Sequence, residues 1–228
     1  MGDVIELSGN GTTGRGYLAT PEHGAGPGVV VIQEYWGLVP HIHDVCDRLA
    51  GEGFTALAPD LFHGATASEP DEAGKLMMAL NLGQAARDMG AAVDHLVASE
   101  AVRGAGVGVI GFCMGGGLAL MLATERPDDI RACVAFYGLI PWESAHPEWS
   151  RLEAGVQGHF AEEDEFFSPD QARQLEQTLR DAGKDVEMFL YPGVGHAFFN
   201  DARPEAYDPS AASTAWTRSL EFLRAKLG

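Results

Sequence analysis

With 228 residues, 46% of them hydrophobic, the chain is long enough to bury one α/β core and short for two domains, so a single domain over 1–228 is expected. Its formal net charge of −18 argues against nucleic acid and anionic membranes, which want basic surfaces, and fits a solvated acidic exterior. No apolar run approaches the ~20 residues of a spanning helix, and the first residues have neither the basic nor the apolar region of a signal peptide.

Val4–Leu7 and Gly16–Ala19 read as short strands around the turn-rich Ser8–Gly14, an antiparallel hairpin at a sheet edge. Gly28–Gln33 is a continuous apolar run, as a strand covered on both faces should be, and Glu34–Leu38 follows as a loop. A helix is expected over His43–Glu52 and a strand over Phe54–Ala58, ended by Pro59-Asp60. Leu61–Asp71 reads as loop and Glu72–Ala98 as helix, with Gly83 and Gly90 as breaks or close-packing points; Met77, Met78 and Leu80 read as its core. Further strands are expected at Ala105–Ile110, Ile130–Tyr137, Gly155–Ala161 and Val186–Tyr191. Ser168-Pro-Asp-Gln171 has the N-cap, N1 and N3 residues of a helix start, and Ala211–Leu227 is the closing helix. Strands alternating with helices of this length imply a mostly parallel twisted sheet with helices on both faces.

The most informative stretch is Val107–Gly117. Apolar β-formers lead into Gly111-Phe-Cys-Met-Gly115, and a helical run follows at once. This is the strand–turn–helix form of a nucleophile elbow, written G-x-C-x-G. The turn strains its central residue, and glycine two positions to either side removes a Cβ that would clash. Cys113 then stands above the sheet at a helix N-terminus, where free N–H groups and the dipole favour a thiolate and, later, an oxyanion. The ordinary alternative is a small buried core cysteine. Cys46 and Cys133 sit in apolar contexts without C-x-x-C spacing, which points to a reducing cytoplasm and no structural zinc.

In an open parallel sheet, sites form in loops at the carboxyl ends of the strands. Those loops hold Glu34-Tyr35-Trp36, Asp60, Cys113, Tyr137, Glu162–Glu165 and His196. His196, between flexible glycines and packed aromatics in Gly193-Val-Gly-His-Ala-Phe-Phe199, can take a proton from the thiol and return it to a leaving group. Asp164 is the candidate to orient it, for its short side chain; Glu162, Glu163 and Glu165 are alternatives that spacing does not decide. The order Cys113, Asp164, His196 is that of α/β-hydrolase triads. Tyr35 and Met114 are assigned as the main-chain N–H donors of an oxyanion hole. Glu34 is a carboxylate at the end of a buried strand near the thiol; it would hold the thiol protonated, or else pair with an Arg. Trp36, Tyr137, Phe198 and Arg203, in or beside these loops, are the candidates to touch substrate. His41-x-His43 lacks a third ligand, and no phosphate-binding glycine motif is present, so neither metal nor cofactor is expected.

Gln33-Glu-Tyr-Trp-Gly37, Ala58-Pro-Asp-Leu61, Gly111-Phe-Cys-Met-Gly-Gly116, Asp164 and Gly195-His-Ala-Phe198 occur in the order seen in the dienelactone hydrolase family, which the chain resembles over nearly its whole length. The resemblance implies an α/β-hydrolase fold, a Cys113–Asp164–His196 triad, and Glu34 as a gating carboxylate. It implies hydrolysis of a small-molecule enol-lactone or related ester without metal or cofactor. A cytoplasmic monomer or weak homodimer is expected. The family's lactonases carry an Arg before the long helix and another four residues past the histidine. Here Ala65–Ala86 has only Lys75, and the second place is Asn200, with Arg203 later. A general ester or lactone is therefore expected rather than dienelactone itself.

Overall fold

The computed structural model describes residues 1–9 and 11–228. In chain order the strands are β1 (Asp3–Gly9), β2 (Thr12–Ala19), β3 (Gly26–Ile32), β4 (Thr55–Pro59), β5 (Val102–Phe112), β6 (Ile130–Phe136), β7 (Gly155–Ala161) and β8 (Val186–Tyr191). They form one sheet in the order β1-β2-β4-β3-β5-β6-β7-β8. β1 and β2 pair antiparallel, as does β2 with β4; every other neighbouring pair is parallel. The edge hairpin is thus where the sequence places it. Its turn includes Asn10, which lies outside the described residues.

The helices are α1 (Pro40–Gly51), α2 (Pro70–Met78), α3 (Leu82–Ala98), α4 (Met114–Glu125), α5 (Pro169–Asp181) and α6 (Pro209–Leu227), with a 3₁₀ turn at Trp149–Arg151. Alternation along β3 sorts them into layers. Val29 and Val31 join one apolar cluster with Ile42, Val45 and Leu49 of α1 and Leu220 and Leu223 of α6. Val30 and Ile32 join the other, with Met89 and Val93 of α3, Leu118 and Leu122 of α4 and Leu179 of α5. Both faces of the strand are therefore covered, which is why it reads as an unbroken apolar run.

The segment expected as one helix over Glu72–Ala98 is two. The break falls at Ala79–Asn81, where the Asn81 side chain accepts a hydrogen bond from Gln84 N–H and caps α3. Gly90 is buried inside α3 and interrupts nothing. At α5 the Ser168–Gln171 capping box forms as read.

The topology also fixes where a site can be. After β3 the chain passes through α1 to β4 on one side; after β5 it passes through α4 to β6 on the other. β3 and β5 are neighbours, so their outgoing loops part and leave a crevice at the switch point.

Candidate active site

Cys113 ends β5 and caps α4 with φ +55° and ψ −123°, a conformation few side chains adopt. The flanking glycines explain how the turn closes. A Cβ on Gly111 would collide with the Gly115 carbonyl, and one on Gly115 with the carbonyls of Ile32 and Gln33. The Cys113 N–H is held by Phe136 O at 3.1 Å, and its own carbonyl receives Gly116 and Leu139 N–H at 2.9 and 3.0 Å. The backbone is thus pinned by two neighbouring strand ends and the first turn of α4.

His196 lies across from the thiol. Its Nδ1 meets Asp164 Oδ2 at 2.7 Å, and the ring lines the same cavity as the Cys113 side chain. A carboxylate only accepts, so Nδ1 carries a proton and Nε2 is left for the thiol. Asp164 has a fully buried side chain, and its Oδ1 accepts the N–H groups of Phe166 and Phe167 at 2.8 and 3.0 Å. Glu162, Glu163 and Glu165 are exposed. Burial pulls the His196 imidazole down, but its hydrogen bond to Asp164 and the neighbouring Cys113 and Asp164 side chains outweigh this and raise it from 6.5 to about 10. The other two thiols are fully buried, and burial pushes both far above the ordinary cysteine range.

Glu34 is 1% exposed and no cation pairs with it among the described residues. Two neutral donors hold it instead: Tyr137 OH on Oε1 at 3.3 Å and Asn200 Nδ2 on Oε2 at 2.5 Å. Burial first, then the charges of Glu34 and Cys113, push the Tyr137 phenol well above its usual value, so it remains a donor. Asn200 is 2% exposed. Asn200→Ala would leave one Glu34 oxygen buried without a partner, at a cost of about 1–3 kcal/mol. The expected outcome is a Tm several degrees lower by calorimetry; an unchanged Tm would show that water replaces the amide at no cost.

A cavity of about 120 Å³ opens over the thiol, lined by Glu34, Tyr35, Trp36, Cys113, Phe166 and His196, with Arg203 at its edge. Tyr35 lines this cavity and Met114 follows Cys113 in the chain; no turn or loop hydrogen bond takes up either main-chain N–H among the described residues. The Arg203 guanidinium lies 4.4 Å from the centre of the Trp36 ring and pairs with Glu205. Tyr137 and Phe198, expected to touch substrate, stand behind the cavity rather than in its wall. Both are fully buried: Tyr137 packs edge-on to His196 at 4.9 Å and supports Glu34, and Phe198 packs on Tyr137 and Tyr191. His41 and His43 go separate ways, one to Asp201 at 3.2 Å and the other stacked on Tyr17.

Sequence reasoning missed two residues here. Asn200 was read only as a missing Arg; its pairing with Glu34 spans 166 positions and leaves no local trace. Phe166, 61% exposed and edge-on to His196 at 5.0 Å, had a signal in its place two residues past the orienting carboxylate.

The model of the dienelactone hydrolase family matches residues 15–227. The chain is 40% identical over 230 residues to a protein of Aquifex pyrophilus named protein usf, with 98% of each covered. It is 37% identical over 233 residues, the full length of both, to a protein of Aquifex aeolicus provisionally named as a carboxymethylenebutenolidase. Among solved structures, one from Klebsiella pneumoniae, provisionally described as a dienelactone hydrolase, superposes with a TM-score of 0.86 at 28% identity, over 98% of this chain and 99% of that one.

Proposed function

Because the chain belongs to the dienelactone hydrolase family, a lactone and ester hydrolase with the α/β-hydrolase fold, we propose that it works through Cys113 as nucleophile, His196 as proton carrier and Asp164 as the group that orients the ring. The observation that carries this is the contact of Asp164 Oδ2 with His196 Nδ1 at 2.7 Å, with the ring and the Cys113 side chain facing one cavity.

The sulfur attacks the acyl carbon as its proton passes to His196 Nε2. The N–H groups of Tyr35 and Met114 receive the carbonyl oxygen as it becomes negative. His196 then gives its proton to the departing alkoxide, leaving a thioester on Cys113. Water, deprotonated by the same ring, attacks that thioester, and the carboxylic acid leaves as the thiol is restored. Glu34 sits beside this path, held by Tyr137 and Asn200, and serves as the gating carboxylate near the sulfur. No step needs a metal or cofactor. The acidic exterior and the lack, among the described residues, of a helix long and apolar enough to cross a membrane support a soluble cytoplasmic setting.

The test is a panel of p-nitrophenyl esters, lactones and thioesters compared by kcat/KM, before and after one equivalent of iodoacetamide. Esters and lactones should be turned over, the reagent should label Cys113 ahead of Cys46 and Cys133, and turnover should stop in step with that labelling. Turnover that survives full alkylation of Cys113 would defeat the mechanism.

A further inference from the structure

We propose that the acyl part of the substrate continues from the thiol past Trp36 and Arg203 into a second cavity, so that the enzyme selects extended hydrocarbon acyl groups; this rests on the hydrolase reading above. A cavity of about 420 Å³ lies beside the one over Cys113, and the two share Trp36 and Arg203 as a common wall. At roughly 30 Å³ per water-sized group, the first holds about four non-hydrogen atoms and the second about fourteen. An acyl chain longer than propionyl therefore extends beyond the smaller cavity.

Direction follows from proton transfer. The leaving group has to face His196, which protonates it, and His196 lines only the smaller cavity. His196 is not in the wall of the larger one, which is where the acyl group is left to lie. Half of its wall is apolar, the Trp36 ring with Val39, Pro40, Ala67 and Ala202, and His41, Ser68 and Asn200 add polar atoms to the rest. The charges on it are matched, since Arg203 is held by Glu205 and stacked on Trp36. Arg203 is partly exposed and its ion-pair partner Glu205 is exposed, so its side chain is the element that yields as a chain passes.

The experiment is the series p-nitrophenyl acetate, butyrate, hexanoate and octanoate, which keeps the leaving group constant, on the wild type and on Ala202→Trp and Ser68→Trp. Both positions are exposed and on the rim of the larger cavity, so both variants should fold. In the wild type kcat/KM should rise roughly threefold per methylene from butyrate to octanoate, as expected for burial of CH₂ groups. In at least one filled variant octanoate should fall tenfold or more, with acetate within twofold of wild type. A flat or falling series in a wild type that hydrolyses acetate overturns the subsite and leaves the hydrolase reading intact. So does a rising series that neither variant alters. A wild type inert toward every ester overturns both.

Discussion

Cys113→Ala should lower kcat/KM for p-nitrophenyl acetate by about 10⁴-fold or more, while the melting transition shows a folded protein. The size follows from losing the nucleophile of a unit whose members act together; what remains comes from the oxyanion donors and binding. Activity close to wild type in that variant would remove Cys113 from the mechanism. The same position allows a second comparison. At φ +55° an alanine keeps the backbone strain of the cysteine, and glycine releases it. Strain of this kind costs of order 1–3 kcal/mol, against about 0.5–1 kcal/mol for the extra freedom of glycine in the unfolded chain. Cys113→Gly should therefore be as inactive as Cys113→Ala but melt up to several degrees higher. Equal melting temperatures would mean that the elbow holds no strain.

Asp164→Asn should cost 10²–10⁴-fold in kcat with little change in fold. Asp164 Oδ1 accepts two main-chain N–H groups, and an asparagine oxygen would keep that place. Its amide nitrogen would then face His196 Nδ1 and donate to it. The ring would shift its proton to Nε2, toward the thiol, and could no longer accept from sulfur. Glu162→Gln, Glu163→Gln and Glu165→Gln, all at exposed positions, should each stay within about twofold of wild type. Steady-state kinetics on the four variants decides the matter. A large loss in any of the three glutamate variants, with Asp164→Asn unaffected, would move the orienting role along the acidic run.

The features legible in the sequence are those written in short-range terms. The elbow needs its glycines because backbone passes where their side chains would be, so the requirement appears as a five-residue pattern. β7 and β8 have the bounds expected of them, since apolar runs closed by turn residues carry their own limits. What could not be read depends on partners far along the chain. The interruption between α2 and α3 was sought at glycines, whereas Asn81 makes it by capping, and the Trp142 indole bonds the Met77 carbonyl from 65 residues away. Tyr137 and Phe198 were placed near the chemistry rightly enough, but which layer they occupy depends on the packing of Glu34, His196 and Tyr191 around them. The clasp of Asn200 on Glu34 belongs to the same class.

The first turn of α4 is Gly115-Gly116-Gly117, and each glycine is pressed against main chain from a different part of the molecule: β3, the end of β6, and Leu139. Three glycines weaken an isolated helix by about 3 kcal/mol relative to alanine, so this segment would stay uncoiled in a nascent chain. The sulfur consequently has no special surroundings until the strands on both sides have closed around it. Its chemistry arrives together with the finished structure, and a partly assembled molecule would carry only an ordinary thiol.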